Sequence, residues 1–201
     1  MSKIVIFDLG KVLLDFDYTK AAKKLLPLCG SPLKVLGVLS SSGLLEELEA
    51  GEISDDEFYD QIAELAKFKG TKDDFLVAFG DIFTPIEETI DFQKDLKKQG
   101  ISTYIFSNTN NFAVQWISTH YPFYNNFTGY FLSYQLKMTK PHDNIYAEIE
   151  KHTGKNSKDI IFFDDKQENI ETALKRGWSA ILFKKPASAI AEAKRLLTSE
   201  N

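Results

Sequence analysis

Asp8 ends the apolar run Ile4-Val5-Ile6-Phe7, and Asp164-Asp165 end a second run, Ile160-Ile161-Phe162-Phe163. Both runs are short and β-branched or aromatic, so each reads as a buried strand with a carboxylate at its C-terminal tip. Acids so distant in sequence, meeting at two strand ends, suit a hard divalent cation and point to phosphate chemistry. Ser107-Asn108-Thr109 follow Ile105-Phe106, and Lys140-Pro141 precede the helix that leads to the second acidic strand. In open parallel sheets ligands bind beyond the carboxyl ends of the strands, which brings these groups to one crevice.

The set fits phosphoryl transfer through a covalent aspartyl intermediate. Asp8 would attack phosphorus, and the charge on the equatorial oxygens would need neutralising. Magnesium suits that task because it accepts oxygen ligands while keeping waters that a phosphate oxygen can replace. Ser107 and the amide of Asn108 can donate to the phosphate, and Lys140 adds a positive charge that offsets the carboxylates.

The elements that must position these groups alternate along the chain. Strands are expected at 3–7, 102–106, 129–132, 159–163 and 179–183. Helical patterns lie between them: 110–120, His142–Thr153 ending at Gly154, Lys166–Arg176 ending at Gly177, and Pro186–Leu197. Thr84-Pro85 reads as an N-cap with Pro at N1, opening a helix that Gly100 stops. The alternation implies an α/β fold, a doubly wound parallel five-stranded sheet with helices on both faces. Residues 18–83 break the rhythm with helix signals alone. Ser31-Pro32 looks like a cap and first turn, Ser54 to Glu57 has capping-box spacing, Thr71 to Phe79 repeats it, and Gly51 ends a helix containing Leu44, Leu45 and Leu48. This stretch is expected to be a small inserted helical cap, with 1–17 and 84–201 forming the core.

The chain has 201 residues, enough for one domain carrying such an insertion. With 24 Lys and Arg against 29 Asp and Glu the net charge is −5, and no basic stripe appears, so nucleic-acid binding is not expected. The single cysteine, Cys29, cannot form an intrachain disulfide and reads as a small buried hydrophobe. The N-terminal apolar run is interrupted by Asp8 and Lys11, is too short to span a bilayer and lacks the features of a signal peptide. A cytoplasmic protein, monomer or loose homodimer, without a membrane partner is the expectation.

On these residues the chain resembles the haloacid dehalogenase-like hydrolases. Asp8-Leu9-Gly10 matches the family's first motif, Ser107 its second, Lys140 its third, and Asp164-Asp165 with Asn169 its fourth. That family also places a helical cap where residues 18–83 lie. The strings Phe7-Asp8-Leu9-Gly10-Lys11-Val12, Gly51-Glu52-Ile53-Ser54 and Ser107-Asn108-Thr109-Asn110 look most like the branch containing bacterial alpha-D-glucose-1-phosphate phosphatases. The resemblance implies a magnesium-dependent phosphatase acting on a small phosphorylated metabolite. In it Asp8 is nucleophile and ligand, Asp165 the second carboxylate ligand, the Gly10 carbonyl the third, and Asp164 and Asn169 hold the outer shell.

One departure bears on mechanism: the family's phosphatases usually carry a second aspartate where this chain has Gly10. General acid–base help contributes about 10²–10⁴-fold in rate. Either Asp15 or Asp17 supplies it from a nearby turn, or the leaving group, such as an anomeric oxygen, depends on it less. The alternatives are a metal-independent dehalogenase, which also lacks that aspartate, and a non-catalytic phosphometabolite-binding protein. Each motif also has a structural reading: Ser107-Asn108 as the cap of the helix at 110–120, Asp164 as the cap of the next helix, Lys140 as a loop lysine. Glu46, Glu47 and Glu49 read as a solvated helix face rather than sugar-binding groups, Lys11 and Lys166 as solvated or substrate-facing, and Trp116 and Trp178 as packing residues.

Overall fold

The computed structural model describes residues 3–30 and 43–199, and the Ser31-Pro32 helix start lies outside them. Five parallel strands form the central sheet: β1 (Ile4–Phe7), β4 (Thr103–Ser107), β5 (Gly129–Leu132), β6 (Ile160–Asp164) and β7 (Ser179–Leu182). Their spatial order is β5-β4-β1-β6-β7, so the order reverses at β1. Sequential crossovers run outward to one side from β1 and then to the other, leaving a crevice at the strand ends where the direction changes.

The sheet is buried on both faces because alternate residues of each strand meet different helices. Val5, Phe7, Ile105, Ile161 and Phe163 face one side. There they pack on Ile90 and Leu96 of α5 (Glu87–Lys98), Ile117 of α6 (Asn111–His120) and Ala189 and Ala193 of α10 (Pro186–Thr198). Ile4, Ile6, Phe106, Ile160 and Phe162 face the other, against Ile145, Tyr146 and Ile149 of α8 (Asp143–Thr153) and Ile170 and Ala173 of α9 (Gln167–Lys175). This period of two within continuously apolar strands is what a doubly covered sheet requires. A four-residue helix, α7 (Ser133–Leu136), follows β5 directly.

A helical cap region has its own core. Helices α1 (Tyr18–Leu25), α2 (Leu44–Ala50), α3 (Asp55–Ala66) and α4 (Lys72–Gly80) gather Leu25, Leu48, Phe58, Ile62, Phe75 and Phe79 around Phe112 of α6. The expected capping boxes are present: Ser54 with Glu57 at the start of α3, and Thr71 with Asp74 at the start of α4. Gly51 closes α2 in the left-handed conformation at φ 68°. A Cβ there would stand 2.3 Å from the Tyr134 carbonyl oxygen, so glycine also lets α2 dock directly on the core. Cys29 is only half-buried at the edge of this cluster, because it lies in the exposed turn between α1 and the undescribed residues.

Thr84-Pro85 does not open a helix. Phe83–Pro85 is a short strand, β3, paired antiparallel with β2 (Leu14–Phe16), and the helix begins at Glu87 with Ile86 as its cap. The pairing wins because the chain returns beside the strand by which it left, and the Ile86 N–H is taken by the Leu13 carbonyl at 2.9 Å. Pro85 sits comfortably on a two-stranded edge, where its missing donor costs nothing. None of the helices among the described residues is long and apolar enough to cross a membrane.

The last structural network is remote from the crevice. Glu150 accepts from Arg176 Nε at 3.0 Å, Arg176 Nη2 at 2.6 Å and the indole Nε1 of buried Trp178 at 2.7 Å. Partial burial works against its charge, but these donors outweigh it and hold its carboxyl below the usual carboxylate range. Replacing Glu150 with alanine leaves the indole N–H without its partner and is expected to cost roughly 1–3 kcal/mol in urea unfolding at pH 7. A depressed folded-state pKa stabilises above the unfolded value and loses that contribution as pH falls through the folded value. The gap between wild type and variant should therefore narrow below about pH 4.

Candidate active site

The register Phe7↔Phe163 sets the ends of β1 and β6 side by side, and the Asp8 N–H donates to the Phe163 carbonyl at 2.8 Å. One ligand oxygen from each of Asp8, Asp164 and Asp165 lies within 4.8 Å of the others. Lys140 reaches into this cluster with its side chain almost wholly buried. Its Nζ is 2.5 Å from Asp164 Oδ2, 3.1 Å from Asp8 Oδ1 and 3.0 Å from the Phe106 carbonyl.

Each neighbouring residue has a definable task. Asp164 is saturated: Oδ1 accepts from Asn169 Nδ2 and from the Lys166 N–H, both at 2.9 Å, while Oδ2 takes Lys140. It holds the start of α9 and the lysine together, though Lys166 is the formal cap of that helix. Asn169 is itself fixed by its carbonyl, which accepts from the Tyr146 hydroxyl at 3.0 Å. Asp165, half-buried, takes no hydrogen bond from another residue among those described, so its carboxylate is available. Ser107 ends β4 and is buried at the cavity wall. Asn108 is committed: its side chain donates to the Lys140 carbonyl and accepts from the Lys140 N–H, both at 2.9 Å, leaving its main-chain N–H for any ligand. The cap of α6 is Asn110, accepting from the Ala113 N–H at 3.0 Å, and not Ser107-Asn108.

Electrostatically the cluster is short of positive charge. Burial raises the Asp8 pKa, Lys140 draws it back and Asp164 adds to the rise; Asp165 is also raised, by burial and then by Asp164. Burial opposes the Lys140 charge, yet Asp164 and Asp8 more than compensate and hold its pKa above the ordinary lysine value. One ammonium among three carboxylates leaves two negative charges uncompensated. An all-oxygen donor set with that excess is what a divalent cation neutralises.

Asp8, Gly10, Ser107, Lys140 and Asp165 all line a cavity of about 140 Å³. Gly10 contributes only backbone, and the Phe16 ring covers it: a Cβ there would lie 3.0 Å from Phe16 Cε1. Neither Asp15 nor Asp17 lines this cavity. Asp15, exposed on β2, pairs with Lys11, and Asp17 caps α1 by accepting from the Thr19 N–H at 2.9 Å. Lys11 and Lys166 both line the cavity, but Lys11 is folded over the Phe16 ring and paired with Asp15.

Sequence reasoning missed Phe16 and Tyr18, which reach the cavity from β2 and α1, and it read Glu49 of α2 as solvated, whereas this residue also lines the cavity. Burial pushes the Glu49 carboxyl up to about 7; Lys166 lowers it, Glu46 raises it and Lys140 lowers it. One signal was available: an acid in the last turn of a helix opposes the macrodipole, which favours cations there.

Residues 2–177 match the model of the haloacid dehalogenase-like hydrolases, and the chain belongs to that family. Among characterised proteins it is 29% identical to a D-ribitol-5-phosphate phosphatase of Bacteroides thetaiotaomicron over 186 residues, 89% of this chain and 90% of that one. A HAD family enzyme of the same organism, solved with magnesium and inorganic phosphate, superposes with a TM-score of 0.80 at 23% identity, covering 92% of this chain and 95% of that one. A HAD-like hydrolase of Porphyromonas gingivalis gives 0.83 at 22% identity over all of both chains. These two likenesses concern the fold.

Proposed function

We propose that this hydrolase is a magnesium-dependent phosphatase acting on a small hydroxylated phosphate ester, a sugar or alditol phosphate. The observation that carries the reading is the buried convergence of Asp8, Lys140, Asp164 and Asp165 at the sheet's crevice. Asp8, Asp165 and the Gly10 carbonyl would hold the cation, with Asp164 and Asn169 behind them. Bound magnesium would offset charge on the phosphate oxygens.

An Asp8 oxygen attacks phosphorus, the bond from phosphorus to the ester oxygen breaks, and the alcohol leaves as its oxygen takes a proton from water. Water then hydrolyses the aspartyl phosphate, releasing inorganic phosphate and restoring Asp8. Ser107, the Asn108 main-chain N–H and Lys140 orient the phosphoryl oxygens. With Gly10 under the Phe16 ring, no side chain at that position protonates the leaving oxygen. This favours esters that leave readily, which supports glucose 1-phosphate with its anomeric oxygen. The ribitol phosphate phosphatase relative supports an alditol phosphate instead.

The test is phosphate release from glucose 1-phosphate, D-ribitol 5-phosphate and p-nitrophenyl phosphate, with magnesium or with EDTA. Turnover is expected with magnesium, at least 100-fold slower with EDTA, and restored by excess magnesium. Dehalogenation of a 2-haloacid that survives EDTA would replace this reading. Binding of these esters without turnover would make the chain a phosphometabolite-binding protein.

A further inference from the structure

Glu49 is an acid that neither the fold nor the phosphoryl chemistry uses. Its side chain lines the cavity from the cap region, and among the described residues no hydrogen bond or ion pair engages its carboxyl. Its backbone is held firmly. The Glu49 carbonyl accepts from the Ser133 hydroxyl at 2.5 Å, and the same buried hydroxyl accepts from the Thr109 N–H at 3.0 Å. Two residues on, Gly51 allows the close approach of α2 to Tyr134. The end of α2 is thereby tied to Thr109, in the loop that follows Ser107 at the end of β4. Lys166, also at the cavity wall, stands near enough for its charge to act on Glu49 without pairing with it.

Resting on the phosphatase reading above, we propose that Glu49 is the residue by which the cap region reads the leaving group, accepting hydrogen bonds from its hydroxyls. An acceptor at Glu49 and a donor at Lys166 together satisfy a neutral polyhydroxyl chain or ring. A leaving group bearing a carboxylate or second phosphate would pair with Lys166 but be repelled by Glu49 once its carboxyl is ionised, above about pH 7. The selected class is therefore neutral polyol and sugar monophosphates, over phosphorylated acids and bisphosphates.

The test compares Glu49→Ala and Glu49→Gln with wild type on the alditol phosphate and on p-nitrophenyl phosphate, which has no hydroxyl to read. In Glu49→Ala, kcat/KM should fall at least tenfold further for the alditol ester than for the aryl ester, chiefly through KM. Glu49→Gln should lie between, because its amide oxygen still accepts. Equal losses on both esters, or no loss on either, would overturn the proposal, as would wild type that cleaves the aryl ester but no polyol ester, which leaves the phosphatase reading standing. Wild type inactive on every ester with magnesium present would remove both.

Discussion

Replacing Asp8 with asparagine is expected to lower phosphate release by about 10⁴–10⁶-fold, on the scale of removing a catalytic residue from a well-characterised hydrolase. The same change should raise the melting temperature of EDTA-treated protein at pH 7. Asparagine has nearly the shape of aspartate but cannot form the aspartyl phosphate. It also removes one carboxylate from a buried group in which Asp164 and Asp165 already crowd a single lysine, and Asp164 still pairs with Lys140 at 2.5 Å. The sign follows from linkage. Burial raises the Asp8 pKa in the folded protein, so the folded state keeps its proton to higher pH than the unfolded chain does. Stability is then lost as pH rises from the unfolded value, near 3.9, through the raised folded value. The stabilisation by asparagine should thus be present at neutral pH and vanish toward pH 4. Calorimetry across that range, beside phosphate-release assays, checks both halves. A variant that keeps its activity, or melts lower than wild type at pH 7, would contradict the assignment.

Lys140→Met is expected to destabilise the protein by about 3–5 kcal/mol, the cost of stripping one partner from a buried ion cluster. Methionine preserves most of the apolar stem but removes the ammonium from Asp8, Asp164 and the Phe106 carbonyl together. The ammonium also lies 4.9 Å from the centre of the Phe106 ring and 5.6 Å from that of Phe162, so little water stands ready to replace it. Because the cost comes from the carboxylates left behind, adding Asp164→Asn should recover part of it. Urea unfolding of the two single variants and the double one measures that coupling. A loss for Lys140→Met below about 1 kcal/mol would show that the lysine behaves as a surface residue.

Asp8 and the acid pair Asp164-Asp165 were legible as strand-end carboxylates because the signal is local. Four apolar residues ending in a carboxylate report a buried strand and its tip together, as Ile4 to Asp8 and Ile160 to Asp164 do. The helix ends at Gly154 and Gly177 and the capping boxes at Ser54 and Thr71 were equally local. The pair β2 and β3 was not, since three residues are too few to show alternation, and Thr84-Pro85 carries a stronger local helix-start pattern. Only the meeting of residues 67 to 71 positions apart, with Leu14 opposite Pro85 and Phe16 opposite Phe83, outweighs it.

What the sequence determined alone is the chemistry available: which acids end strands, that a hydroxyl and a lysine accompany them, and that Gly10 offers no proton. The tertiary structure decided which groups are free to act. Asp164 is saturated and Asp165 is not, the Asn108 side chain is spent on the Lys140 backbone, and Asp15 and Asp17 are held away from the cavity. Glu49, indistinguishable in sequence from Glu46 and Glu47, alone among them lines the cavity. Helical periodicity tells which residues share a face, but what that face meets depends on packing between distant segments. Here a serine hydroxyl and a glycine without a Cβ set that meeting.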